Sequence, residues 1–285
     1  MKNTMSLPRK PEPGKPNTSF WDGRRGRIHT RKGGWVVGEA VYNHGYSMMD
    51  DLVGETSFFQ ILVLNVTGSL PEPRLAQWIE AVFSCMSWPD ARIWCNQIGS
   101  LAGTLRATSV AAVSAGILAT DSVMYGVAPL HSGVTFIRTA LIKRQQGNTV
   151  AEIIREHQRH PNSPPAITGY ARPIATGDER VVALKRVAEQ LHFETGPHVR
   201  LAFEIERFLQ ENFGETMNIN GLTSAFMCDQ NFSNEEIYRI FSTVVMSGVH
   251  ACYAEAADQP AEAFFPLHCD DIDYQGKPAR PVPDE

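Results

Sequence analysis

Apolar positions recur every three or four residues over much of this chain, a spacing that predicts helices. An apolar run from Ser57 to Asn65 is stopped by Gly68-Ser69-Leu70-Pro71. Pro73 then opens a segment, Arg74 to Phe83, with Leu75, Ile79, Val82 and Phe83 on one face. Residues 100–125 are small and apolar, with only Arg106 and Asp121 charged. That composition lets helices approach closely, so a buried helix pair or one long core helix is expected there. Amphipathic patterns cover Val134 to Arg144 and Thr149 to His160, the second broken by Pro161-Asn162-Ser163-Pro164-Pro165. Helical patterns return over Asp178 to His192, Pro197 to Phe213 and Leu222 to Met227. Asn234 is expected to cap a further helix, with Glu235 and Glu236 in its first turn, running to Met246. Period-two alternation is nearly absent, and the expected fold class is all-α.

Composition narrows the picture. A chain of 285 residues, 43% hydrophobic and 20% charged, is long enough for a substantial core. The net charge of −5 exerts no long-range pull toward nucleic acid or anionic lipid. The basic runs Arg24-Arg25-Gly26-Arg27 and Lys143-Arg144 read as solvated loops or helix ends. Five cysteines without a C-x-x-C spacing point to reduced thiols in a cytosol. Met1 to Pro16 is polar and proline-rich without the apolar centre of a secretory signal, and no run of eighteen apolar residues occurs. The expectation is a cytoplasmic protein with neither nucleic-acid nor membrane partner. Its expected organisation is a leader over 1–18, a large helical domain from 19–145 and 236–276, a small helical domain over 146–235, and a tail over 277–285.

Several segments carry candidate chemistry in a fixed order. Thr56-Ser57-Phe58 leads to Gly68-Ser69-Leu70-Pro71, and Arg106 is followed by Pro129-Leu130-His131-Ser132-Gly133. Next come Gly169-Tyr170-Ala171-Arg172-Pro173-Ile174, Asp178-Glu179-Arg180 and Asn218-Ile219-Asn220-Gly221. Gly248 through Glu255, Phe265-Pro266 and Tyr274-Gln275-Gly276 close the series. Together they resemble, over roughly residues 28–276, the citrate synthase superfamily, including the citryl-CoA-cleaving domain of ATP-citrate lyases. The resemblance implies a large helical domain with a smaller inserted one, a homodimer, and no permanently bound cofactor or metal. It implies acyl-CoA as cosubstrate and a carbonyl acceptor, joined or separated through an enolate. A carboxylate takes the α-proton of the thioester, the histidine at the His131 position steadies the thioester oxygen, and a second histidine polarises the acceptor carbonyl.

Carried over position by position, the site departs from that pattern. The carboxylate position is Asn220, which cannot act as a general base but can orient a substrate oxygen. The polarising histidine is Arg172, which cannot hand over a proton but can pin a carboxylate or steady an oxyanion. A substrate-binding histidine falls on Asn96, and two substrate-clamping arginines fall on Val245 and Phe265, while Arg106 and Arg180 remain. Losing a positioned base costs about 10²- to 10⁴-fold, so the ordinary synthesis would be very slow. Three readings stay open. One is Claisen-type acyl transfer to a different acceptor, with loss of CO₂ generating the enolate. Another is an inactive paralogue serving as partner or regulatory subunit, in a hetero-oligomer with an active one. The last is a CoA-binding protein without catalysis.

Plainer roles stand beside these. His131 could be a helix-start histidine, Arg172 a loop arginine, and Asn220 an Asx turn or cap before Leu222. His157 and His160 are spaced for a metal but fit a polar helix end without one, and His250-Ala251-Cys252 and His268-Cys269-Asp270-Asp271 fit helix packing and a return loop. Cys228-Asp229 is a candidate displaced base or nucleophile.

Overall fold

The computed structural model describes residues 18–122, 126–161, 163–172, 176–261 and 268–282. Residues 1–17 of the leader, Pro173-Ile174, Phe265-Pro266 and residues 283–285 of the tail lie outside the described residues. The chain forms two compact units, Met1–Pro71 and Glu72–Glu285.

In the first unit a single helical turn, α1 (Ser19–Asp22), precedes an antiparallel sheet of β1 (Gly33–Val36), β2 (Ala40–Asn43) and β3 (Tyr46–Ser47), in that order. This sheet is absent from the sequence expectation. Its strands are short, and every residue of Gly33–Val36 is exposed, so no half-buried face writes an alternating pattern. A π-helical turn, Met48–Leu52, leads to α2 (Phe58–Thr67). Ser57 and Gln60 form a reciprocal capping box at its start, and Gly68 ends it in the left-handed region at φ 86°. Lys32 Nζ donates to the Asn65 carbonyl at 2.9 Å, neutralising the negative end of that helix.

The second unit is helical: α3 (Pro73–Met86), α4 (Trp94–Thr104), α5 (Ser109–Thr120), α6 (Val127–Gln145), α7 (Val150–Arg155), α8 (Glu179–Gln190), α9 (Pro197–Phe213), α10 (Ile219–Asp229), α11 (Asn234–Phe241) and α12 (Met246–Asp258). The small residues of 100–125 make a helix pair, α4 and α5, and both pack on α12. The approach is close enough that a Cβ on Gly103 would lie 2.6 Å from the Tyr253 carbonyl. Helix α6 packs on α9, α10 and α11, and α3 on α8. Trp78 of α3 is fully buried, stacks on Phe226 of α10 at 3.7 Å, and donates its indole N–H to the Leu184 carbonyl at 3.4 Å.

Several boundaries differ from expectation. Helix α6 starts at Val127 instead of Val134, because Pro129 sits in the first turn, where its missing N–H costs nothing. Helix α7 stops at Arg155, since the His157 carbonyl is taken by the Ala166 amide as the chain doubles back. The cap of α11 is Ser233, in a box with Glu236, rather than Asn234. That helix ends at Phe241, and α12 is a separate helix beginning at Met246. No described helix is long and apolar enough to cross a membrane.

Candidate functional site

His131 stands on the exposed side of α6, one turn after the glycine that begins the helix. Its imidazole has no hydrogen-bond partner among the described residues; its carbonyl accepts from Thr135 Oγ1 at 3.0 Å. Two positions on, Gly133 faces α10. A Cβ there would lie 2.5 Å from Asn220 Oδ1 and 2.6 Å from Ser224 Oγ, so only glycine lets the two helices meet at this separation. Asn220 Oδ1 accepts from Ser224 Oγ at 3.1 Å. The cap of α10 is Asn218, whose Oδ1 accepts from the amides of Asn220 and Gly221 at 2.9 and 3.4 Å, which leaves the Asn220 side chain out of the capping role.

The loop carrying Arg172 is clasped to the same helix start. Asn218 donates its amide to the Gly169 carbonyl at 3.0 Å, and its Nδ2 to the Ala171 carbonyl at 2.8 Å. Gly169, at φ 101°, and Gly221 touch: a Cβ on either would lie within 2.8 Å of the other's backbone. Tyr170 and Met217 form an isolated bridge. Thus tertiary contacts place Arg172 beside the first turn of α10.

Asp178 organises the charges at this junction. It caps α8, is fully buried, and accepts from Arg180 Nε at 2.8 Å, Arg180 Nη2 at 2.7 Å and the Ile219 amide at 2.9 Å. Burial by itself would raise this carboxyl. The Arg180 hydrogen bonds and charge, with the Ile219 amide, outweigh that and hold it below the ordinary carboxylate range. Arg172 Nη1 lies 3.8 Å from Asp178 and 2.6 Å from Glu179 Oε2. The Glu179 hydrogen bond pushes the Arg172 guanidinium still higher. The Glu179 side chain is 69% exposed, so this partner is held only from the solvent side.

Three of the six expected site residues, Arg172, Arg180 and Asn220, therefore meet at the start of α10, while His131 stands on α6, which packs on that helix. The other two, Asn96 on α4 and Arg106 just after it, have structural partners instead. Asn96 is buried and donates its Nδ2 to the Trp88 and Asp90 carbonyls at 3.1 and 2.9 Å, fixing the loop before α4. Arg106, at φ 59°, donates to the Ala257 and Gln259 carbonyls and so caps α12.

Two cavities flank the junction. The larger, about 330 Å³, runs along α6 from His131, Ser132 and Thr135 to Lys143, with His157 and Ile153 on its far wall. Burial and Lys143 lower the His157 pKa, against the opposing charge of Glu156, and Phe136 meets its ring edge-on at 5.1 Å. The smaller, about 50 Å³, lies between the starts of α6 and α10 and the ends of α3 and α11. Asn220 opens on this second cavity, so it and His131 line different spaces. Thr223 lines it too, a residue that the sequence patterns do not single out. Val245, where a clamping arginine was expected to be replaced, is buried at the cap of α12.

Cys228-Asp229 is already engaged elsewhere. Asp229 accepts from the His198 and Val199 amides at 3.0 Å each and from His198 Nδ1 at 2.8 Å, closing the start of α9. Burial raises the Cys228 thiol despite the Arg138 guanidinium beside it, and burial likewise lifts Cys95 to about 11. Neither is a ready nucleophile. No group of three or more metal-ligating side chains occurs among the described residues.

The sequence matches no protein-family model and no curated protein. Solved structures do share its fold. Citryl-CoA lyase from Hydrogenobacter thermophilus aligns with a TM-score of 0.74 at 23% identity, over 90% of this chain and 97% of that one. ATP citrate lyase from Methanothrix soehngenii, in complex with citrate and coenzyme A, aligns at 0.73 and 15% identity, over 97% of this chain and 47% of that one, so the present chain spans about half its length. Citrate synthase from Thermotoga maritima gives 0.59 at 16% identity, over 79% and 59%. The chain has the all-α fold of the citrate synthase superfamily.

Proposed function

We propose that the protein makes or breaks a carbon–carbon bond in an acyl-CoA, by Claisen-type chemistry in which decarboxylation supplies the enolate. The observations that carry this reading are the loop at the start of α10, which bears Arg172, and helix α6 packed on α10, whose His131 imidazole has no hydrogen-bond partner among the described residues. The fold shared with citryl-CoA lyase and citrate synthase supports CoA as the carrier. In this proposal Arg172 exchanges Glu179 for the carboxylate of a malonyl-type thioester. The bond to that carboxylate breaks, CO₂ leaves, and the electron pair moves onto the thioester oxygen, which His131 steadies. The enolate carbon then attacks the carbonyl of an acceptor, or takes a proton from water. No carboxylate base is needed, which accords with Asn220 at that position. Residues 146–235 would act as a small domain closing on the ligand.

The chain is further proposed to work as a homodimer. Helix α5 has no charged residue, yet Val110 and Leu118 on its outer side are 76% and 77% exposed, a face suited to a second copy. A cytosolic location is proposed on the cysteine usage alone.

CO₂ release from malonyl-CoA tests the reading. The His131→Ala variant is expected to be slower by about 10²-fold, the size of effect expected for one lost oxyanion donor. No release above a His131→Ala/Arg172→Ala double variant would overturn it. That result would favour the inactive-paralogue reading, to which the structural engagement of Asn96 and Arg106 also lends support. Copurification with an active paralogue would then be expected.

A further inference from the structure

We infer that the free edge of β1 takes up an added strand, an extended peptide of a partner protein with acidic residues at its C-terminal end. The inference is independent of the acyl-CoA reading, since it concerns only the first unit. Strand β1 is an outer strand of its sheet and pairs with β2 alone. The His44 amide donates to the Lys32 carbonyl at 2.6 Å, and the register continues with Gly34 opposite Tyr42 and Val36 opposite Ala40. Bonding direction alternates along an antiparallel ladder, so Lys32, Gly34 and Val36 bond toward β2. Gly33 and Trp35 therefore point their N–H and C=O groups away from it, and those groups have no partner among the described residues.

An edge of this kind is normally blunted by a charge, a proline or a bulge. The stretch Gly33-Gly34-Trp35-Val36-Val37-Gly38 has no charge and no proline, and its register over Gly33–Val36 is unbroken. The opposite edge, β3, is only two residues long. A Cβ on Gly34 would meet nothing within 4 Å, so the chain's own packing does not require glycine there. A bare backbone in a strand suits the close approach of another backbone. Trp35 and Val37 are 69% and 78% exposed, and Trp35 stands opposite exposed Val41, which gives an incoming apolar side chain a surface to cover.

Charge identifies the partner. Arg24 lies over the Phe20 ring, Arg25 pairs with Asp22, and Lys32 donates to the end of α2. Arg27 and Arg31 have no ion-pair partner among the described residues. Both precede β1, so an antiparallel strand meets them with its C-terminal end, where two carboxylates complement them. A second copy of this chain is the poorer match, because the carboxylate it would bring, Glu39, already accepts from the Tyr42 hydroxyl. The net charge of −5 opposes nucleic acid.

Fluorescence anisotropy of the full chain with a labelled peptide of alternating valine and threonine, ending in two glutamates, tests this. Saturable binding is expected, with the valines on the Trp35 face and their N–H groups toward β1. N-methylation of the valines should weaken binding about tenfold, while N-methylation of the threonines should leave it within about twofold. The Arg27→Ala/Arg31→Ala variant should bind about fivefold more weakly with an unchanged Tm, and a peptide ending in two glutamines should show the same loss on the parent chain. Equal effects of the two methylations would mean that the backbone is not read, and would overturn the inference. Tighter binding of a thymidine oligonucleotide that displaces the peptide would assign the arginines to nucleic acid and overturn it too. So would failure of the peptide to bind while the chain associates beyond a dimer as its concentration rises, which would give the edge to a second copy.

Discussion

At the residue scale, the junction depends on one buried carboxylate. Asp178 joins the cap of α8, the first amide of α10 and two guanidinium groups. Replacing it with Asn would leave those cations poorly paired, at a cost of about 2–4 kcal/mol. The pH dependence has a definite sign. The folded-state carboxyl is held below its unfolded value of about 3.9, so its contribution is present above that pH and is lost as pH falls through the folded pKa. Urea unfolding measured from pH 7 to pH 3 should show stability falling below about pH 4, and the Asp178→Asn variant should be weaker at pH 7 with a flatter acid limb. What sequence reading could use at this scale was segment order alone. The segment order marked His131, Arg172, Arg180 and Asn220. It could not show that Asn96 and Arg106 are engaged by backbone carbonyls, because those partners lie 6 to 153 residues away in the chain.

Elements whose signals are local were legible. Pro197 at the first position and Gly214 after the last bound α9 just as its pattern predicted. Local signals misled where a neighbour decided the outcome. The pattern over Val134 to Arg144 misses the first two turns of α6, and Asn234 reads as a cap although Ser233 holds that role. The short strands of the first unit left no alternation to read. Helix α5 is the element whose sequence and surroundings disagree most, being uniformly apolar or small while one side stands open. Sedimentation equilibrium is expected to find a dimer for the parent chain. A Leu118→Glu variant should shift it to monomer without loss of helical signal, and a parent that runs as a monomer would remove the homodimer from the proposal.

For the whole molecule, what matters is how a ligand would compete with contacts already present. The fold and the CoA thioester reading are separable, since the fold is shared with proteins at 15–23% identity whose sites need not be alike. The junction at the start of α10 has a built-in asymmetry that bears on this. Arg172 is held on one side by buried Asp178 and on the other by Glu179, which reaches in from solvent. Glu179 is seven residues along the same chain, so toward the proposed carboxylate ligand it would act as a tethered competitor at a local concentration of about a millimolar. Any carboxylate ligand must out-compete it, and weakly held anions at lower concentration will not. Glu179→Gln should therefore tighten malonyl-CoA binding several-fold while leaving uncharged thioesters unaffected, a contrast that paired titrations would read. In the proposed reaction the exposed glutamate would set a threshold, screening the arginine from stray anions until a ligand anchored by its remaining contacts arrives.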